Sequence, residues 1–218
     1  MEHSNRNVTM SRLREAGRAL ARRRLETGLW LAAIVLLGSA AWMKADASWY
    51  QHRAQRELEA AGLERPATPA PSRARALAPG TPVAQLSIPR LEVDVVVAEG
   101  VSAEVLRRAP GRIPGSARPG EAGNVALAGH RDTFFRALER IRVDDLLVLA
   151  RPDGRDAYRV EWTALVEPRQ VDVATDSGYP ALTLITCYPF DYVGDAPYRF
   201  VVRARRVEAG SVPTRTTG

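Results

Sequence analysis

The chain has 218 residues, 45% hydrophobic and 26% charged, a composition that excludes wholesale disorder and suits one domain with appendages. Its net charge of +6 does not mark a nucleic-acid binder: residues 81–206 hold 17 basic and 17 acidic residues, whereas residues 1–26 hold seven Arg against three acidic residues. A single cysteine, Cys187, excludes a disulfide framework and a Cys-rich zinc site, and neither metal nor cofactor is expected.

Residues 1–27 read as a basic cytoplasmic tail. Residues 28–43, GLWLAAIVLLGSAAWM, carry no charge and lie between Arg22, Arg23, Arg24 and Lys44. They are expected to form a transmembrane signal-anchor, with the stem of Lys44 extending it toward the ~20 residues of a typical span. Cleavage at the small-x-small run Ala45-Asp46-Ala47 is the competing reading, but the length of the apolar stretch and the stalk behind it favour an uncleaved anchor. The Arg excess puts the N-terminus inside and the remainder of the chain outside the cytoplasmic membrane. Residues 44–80 are a stalk and tether: Ala, Glu, Gln and Arg favour a helix at first, and Pro66, Pro69, Pro71 and Pro79 then interrupt it.

Residues 81–206 are the expected folded core and read mostly as strands, at 83–88, 91–97, 125–129, 146–150, 158–166, 182–186 and 198–205. Pro89-Arg90 separates the first two, and Pro152-Asp153-Gly154 is turn chemistry, since Pro presets φ and Gly tolerates positive φ. Short helices are expected at 102–108, capped by Ser102, and near 133–138. Many short strands joined by turns indicate a sandwich or a barrel. The tail, residues 207–218, is polar and expected to be disordered.

Strand alternation points to a site. Leu182, Leu184 and Thr186 share one face and Thr183, Ile185 and Cys187 the other; Phe200, Val202 and Ala204 form an apolar set opposite Arg199, Arg203 and Arg205. Val125 and Leu127 are a bulky pair, while His130 shares its face with Ala126 and Ala128. If the bulky sets fill the interior, Cys187, His130 and Arg199 occupy an outer wall, with small side chains leaving room for a groove. Each also has a plainer reading: an inert buried thiol, a polar strand end, one arginine among several on a solvated face. His130 is nevertheless the only imidazole in the domain, since His3 lies in the tail and His52 in the stalk.

The run Thr183-Leu184-Ile185-Thr186-Cys187 is similar to the TLxTC signature of sortases, Gly129-His130-Arg131-Asp132-Thr133 resembles their histidine segment, and Arg199 follows Cys187 at a spacing typical of them. Cys187-Tyr188-Pro189-Phe190 looks most like the class D branch. The resemblance implies an all-β fold, a closed eight-stranded barrel with short helices, carried behind an N-terminal transmembrane helix. It implies a cysteine transpeptidase: Cys187 as nucleophile, His130 as general acid, Arg199 as oxyanion donor, and Thr186 as a substrate-binding residue. Substrates would be surface proteins bearing an LPxTG-like motif, cut between Thr and Gly, and the acyl group would pass to an amine of a cell-wall precursor or a pilin-like subunit. Nucleic acid is not an expected partner. A cysteine hydrolase using water, and a silent envelope scaffold that retains the barrel, are the competing readings; an L,D-transpeptidase lacks its His-Gly-x-Cys run here.

Overall fold

The computed structural model describes residues 2–63, 77–175 and 177–208, so most of the tether and nearly all of the C-terminal tail lie outside the described residues. The chain divides into two compact units, Met1–Asp46 and Ala47–Gly218. Helix α1 (Glu2–Leu63) runs through the basic tail, the apolar run and the stalk without a break, where the sequence suggested a helical stalk behind a separate anchor. The first proline is Pro66, so nothing earlier removes a rung of the helical ladder. Its stretch Glu26–Gly62 contains a window long and apolar enough to cross a membrane, and Trp30, Leu36, Leu37 and Trp42 are exposed along it.

The second unit is built from β1 (Pro82–Ile88), β2 (Val93–Glu99), α2 (Ala103–Arg108), β3 (Gly111–Arg112), β4 (Asn124–Ala128), β5 (Leu146–Arg151), β6 (Gly154–Val166), β7 (Ala181–Tyr188) and β8 (Tyr198–Val207). The strands close into a barrel in the order β1-β2-β3-β4-β7-β8-β6-β5. Closure leaves no open sheet edge, so every strand is paired on both sides. The interior takes the sets that alternation assigns to it: Val125 and Leu127 from β4, Leu182 and Leu184 from β7, and Val202 and Ala204 from β8 all join one core with Leu86, Ile88, Leu147 and Leu149. Ser102 caps α2, its hydroxyl accepting from Val105 N at 3.4 Å. Leu91 belongs to a 3-10 turn rather than to β2, and Glu92 follows it in the left-handed region at φ 55°.

Two-residue β3 escapes the sequence pattern and is held by its side chains instead. Arg112 forks onto Glu99, with Nε to Oε2 at 2.7 Å and Nη2 to Oε1 at 2.6 Å, and both residues are buried. At Gly111 a Cβ would stand 2.0 Å from Gly100 O, so only glycine permits this parallel approach to β2.

The stalk is not a free spacer. Within the second unit, Gln51 of α1 mimics a strand partner: Val96 N donates to its Oε1 at 2.6 Å, and its Nε2 donates to Val96 O at 3.1 Å and Arg108 O at 3.0 Å. Tyr50 donates its hydroxyl to Gly80 O at 2.7 Å and packs on Ala98, Val105 and Ala109, while Ala54 is 1% exposed. Four such hydrogen bonds, at roughly 0.5–1.5 kcal/mol net each, amount to about 2–6 kcal/mol. A chain truncated to begin at Ala78 is therefore expected to unfold at lower urea than one beginning at Ala47, by that margin in free energy. Equal midpoints and slopes for the two would show that the docked helix contributes nothing.

Candidate active site

β7 and β8 carry Cys187, Thr186 and Arg199, and His130 follows the end of β4. β4 runs parallel to β7 with Ala126 opposite Thr183 and Ala128 opposite Ile185; β8 runs antiparallel to β7 with Arg203 opposite Thr183, Val201 opposite Ile185 and Arg199 opposite Cys187. Cys187 and Arg199 are therefore direct cross-strand partners on one face. His130 lies two residues past Ala128, the last paired residue of β4, as Cys187 lies two past its partner Ile185 on β7.

A gradient of burial runs along the outer wall of β4, β7 and β8. Ala126, Thr183, Val201 and Arg203 are buried although they face outward, whereas Ala128, Ile185, Cys187 and Arg199 are half-buried. The cover is the connection from β6 to β7. Asn124 Nδ2 donates to Thr175 O at 2.9 Å and Val173 O at 3.4 Å, and Arg203 Nη2 donates to Val173 O at 2.9 Å. Thr183 completes the anchorage, donating its hydroxyl to Asn124 Oδ1 at 2.7 Å. One half of the wall is thus roofed and the half with Cys187 is open. Arg203 is consequently not on a solvated face, as its alternation with Arg199 suggested: it is 6% exposed and lies over the Trp162 ring at 5.5 Å.

The three candidates are held at their backbones. Gly129 N donates to Ile185 O at 3.1 Å, Thr186 donates its hydroxyl to Gly129 O at 2.8 Å, and Phe135 N donates to His130 O at 3.1 Å. A Cβ on Gly129 would meet the Phe135 ring at 2.7 Å, so glycine is required where the strand turns over that buried ring. The His130 side chain is left exposed. Thr186, expected as a substrate-binding residue, is instead 2% exposed with its hydroxyl committed to Gly129, so it fixes the approach to His130 from inside the wall. Arg199 Nη1 donates to Ala196 O at 3.2 Å and Tyr198 O at 3.1 Å, while its Nε and Nη2 make no hydrogen bond among the described residues. Cys187 is a free thiol, half-buried.

Two supports have no signature in the sequence pattern. Tyr188, Phe190 and Phe200 form an aromatic cluster behind Cys187 and Arg199, with ring centroids 5.5–6.4 Å apart. Arg131 and Arg136 reach from the His130 segment to residues 191–194, which follow β7. Among the described residues no group of three or more His, Cys, Asp or Glu side chains is gathered as a metal site. The arrangement sets a half-buried thiol opposite a guanidinium on neighbouring strands, with an exposed imidazole just past the end of the third.

Comparison with known proteins gives the family and the fold. The Sortase domain family model matches residues 86–207, more than half of the chain. Sortase D of Bacillus subtilis (strain 168) is 35% identical over 123 residues, covering 56% of this chain and 62% of that protein. Sortase SrtE1 of Streptomyces coelicolor is 32% identical over 151 residues, covering 60% of this chain and 42% of that protein. The chain thus spans less than two thirds of the length of either relative. Among solved structures, a Clostridium perfringens Sortase D5 transpeptidase shares the fold at TM-score 0.61 and 21% identity, covering 75% of this chain and 99% of its own. Sortase E1 from Streptomyces coelicolor, with a tripeptide in its active site, superposes at TM-score 0.56 and 30% identity, covering 64% of this chain and 98% of its own.

Proposed function

Since the chain belongs to the sortase family of cysteine transpeptidases, we propose that it cleaves an LPxTG-like sorting motif between Thr and Gly and transfers the acyl group to an amine. The observation that carries this reading is the cross-strand pairing of Cys187 with Arg199 at the open end of the wall, with His130 at the adjacent strand end. The Cys187 thiolate attacks the Thr carbonyl carbon, and the displaced electron pair moves onto the carbonyl oxygen. Arg199 Nε and Nη2, which make no hydrogen bond among the described residues, donate to that oxyanion. Collapse of the intermediate expels the glycyl amine, which takes its proton from the His130 imidazolium and leaves a thioester on Cys187. In the second half an incoming amine attacks the thioester, returns a proton to His130 and releases the thiolate.

Ala128 and Ile185 provide a small apolar floor for an extended, proline-containing peptide, and the roof at Val173 and Thr175 limits the groove at its far end. The apolar part of α1 anchors the chain in the cell membrane, with the Arg-rich tail inside and the barrel outside. The acceptor amine then belongs to a cell-wall precursor or a pilin-like subunit.

The test is intact mass spectrometry of the chain mixed with LPxTG peptides, with and without an added amine such as triglycine. An acyl adduct that the amine converts into an amide product is the expected result. Release by water alone, unchanged by the amine, would make the protein a hydrolase, and no adduct with any peptide would make it a silent scaffold.

A further inference from the structure

Residues 189–197 join β7 to β8 just past Cys187 and just before Arg199, and guanidinium groups hold this segment from both ends. Arg131 Nη2 donates to Tyr192 O at 2.6 Å and Gly194 O at 3.2 Å, with its guanidinium carbon 5.9 Å from the Tyr192 ring centroid. Arg199 Nη1 takes the next alternate carbonyl, Ala196, at 3.2 Å. Carbonyls 192, 194 and 196 are thus strung between two cations. The middle of the segment has little packing of its own, since residues 191–195 are exposed and Val193 is 94% exposed. Its path is therefore set by these bonds more than by burial. Arg131 directly follows His130, whose backbone is fixed by Gly129 and Phe135. The Ala196 carbonyl, and with it the rotation of the Arg199 fork, is in this way referred to the strand end that carries the imidazole.

We propose that Arg131 is a positioning residue that latches residues 189–197 to the His130 segment and so sets where Arg199 presents its free Nε and Nη2. The inference rests on the oxyanion role proposed for Arg199. Because the oxyanion exists only in the transition state and its neighbouring intermediate, a displaced fork weakens turnover without weakening peptide binding. A misplacement of about 1 Å can cost on the order of a hundredfold. A second tie between the same segments, Arg136 Nη2 to Asp191 Oδ1 at 2.8 Å, is a suitable comparator, since these side chains are 44% and 79% exposed.

The experiment measures acyl-enzyme formation by the full chain in detergent with an LPxTG peptide. Arg131→Ala is expected to lower kcat about ten- to a hundredfold with KM within about twofold, while Arg136→Ala stays within about threefold of wild type. Added to Arg199→Lys, Arg131→Ala is expected to lower kcat less than about twofold further, because the fork it places is already gone. Should Arg131→Ala fail to fold, Arg131→Lys, which keeps the charge but loses the fork, is expected to show the same kcat-only loss. Backbone 15N order parameters give a readout independent of turnover: those of residues 190–196 should fall in the Arg131 variant while β7 and β8 keep theirs. An inactive wild type would sink the transpeptidase reading alone. Full additivity with Arg199→Lys, or unchanged order parameters across 190–196, would overturn the latch.

Discussion

Cys187→Ala is expected to abolish thioester formation and turnover while leaving the barrel intact. Cys187 is the sole cysteine, so no second thiol can take over the attack. Replacing the half-buried Cys187 side chain by a methyl removes one heavy atom, and such small changes usually cost less than ~1.5 kcal/mol. The strand pairing at this position, Cys187 opposite Arg199, is made by backbone and is unaffected. His130→Ala is expected to be nearly as severe, because the glycyl amine would have to leave without its general acid. Intact mass spectrometry with peptide and amine, next to circular dichroism of the same samples, measures both properties. Substantial amide product from folded Cys187→Ala would end the nucleophile assignment.

Which parts of this molecule are legible in the sequence follows from the range of the interactions involved. Period-two alternation is local, and it correctly puts Leu182, Leu184, Val125, Leu127, Val202 and Ala204 inside and Cys187 and Arg199 outside. Closure of the barrel and its eighth strand came only by resemblance: β3 is two residues long, too short for any period, and is held by the buried Glu99 and Arg112 pair. Alternation also cannot say what lies over a face. Arg203 shares a face with Arg199, yet the connection from β6 to β7 folds across it, pinned by Asn124 and by Arg203 itself. The docked stalk is hidden for a similar reason, since Gln51 bonds the backbone of β2 and α2 and a polar residue on a polar helix carries no signal of that. Thr186 and Arg131 act on segments more than fifty residues distant, at Gly129 and at Tyr192, so neither contact could be read from neighbours in the chain.

The burial of Arg203 changes how Arg199 must be tested. Arg203→Lys would disturb the roof over the groove by weakening the bond to Val173 O, so it is no neutral comparator. Arg205 serves better: it is on the same face of β8, its side chain is 52% exposed, and it pairs with Glu161 and lies 3.8 Å above the Tyr179 ring, away from Cys187. Lysine at Arg205 retains the ion pair, and exposed pairs are worth at most about 1 kcal/mol, so stability and turnover should stay near wild type. Lysine at Arg199 also keeps the charge. It loses the planar fork, however, and one ammonium cannot hold the Ala196 and Tyr198 carbonyls with one arm while directing two further donors at a developing oxyanion. Loss of an oxyanion donor typically lowers turnover on the order of a hundred- to a thousandfold, equivalent to roughly 2.7–4 kcal/mol of transition-state stabilisation. Arg199→Lys is therefore expected to fold normally, to bind peptide with little change in KM, and to form acyl-enzyme slower by that factor. Single-turnover rates of the two lysine variants on one peptide decide the matter: equal and mild losses would return Arg199 to the role of an ordinary surface arginine and leave the oxyanion without its donor.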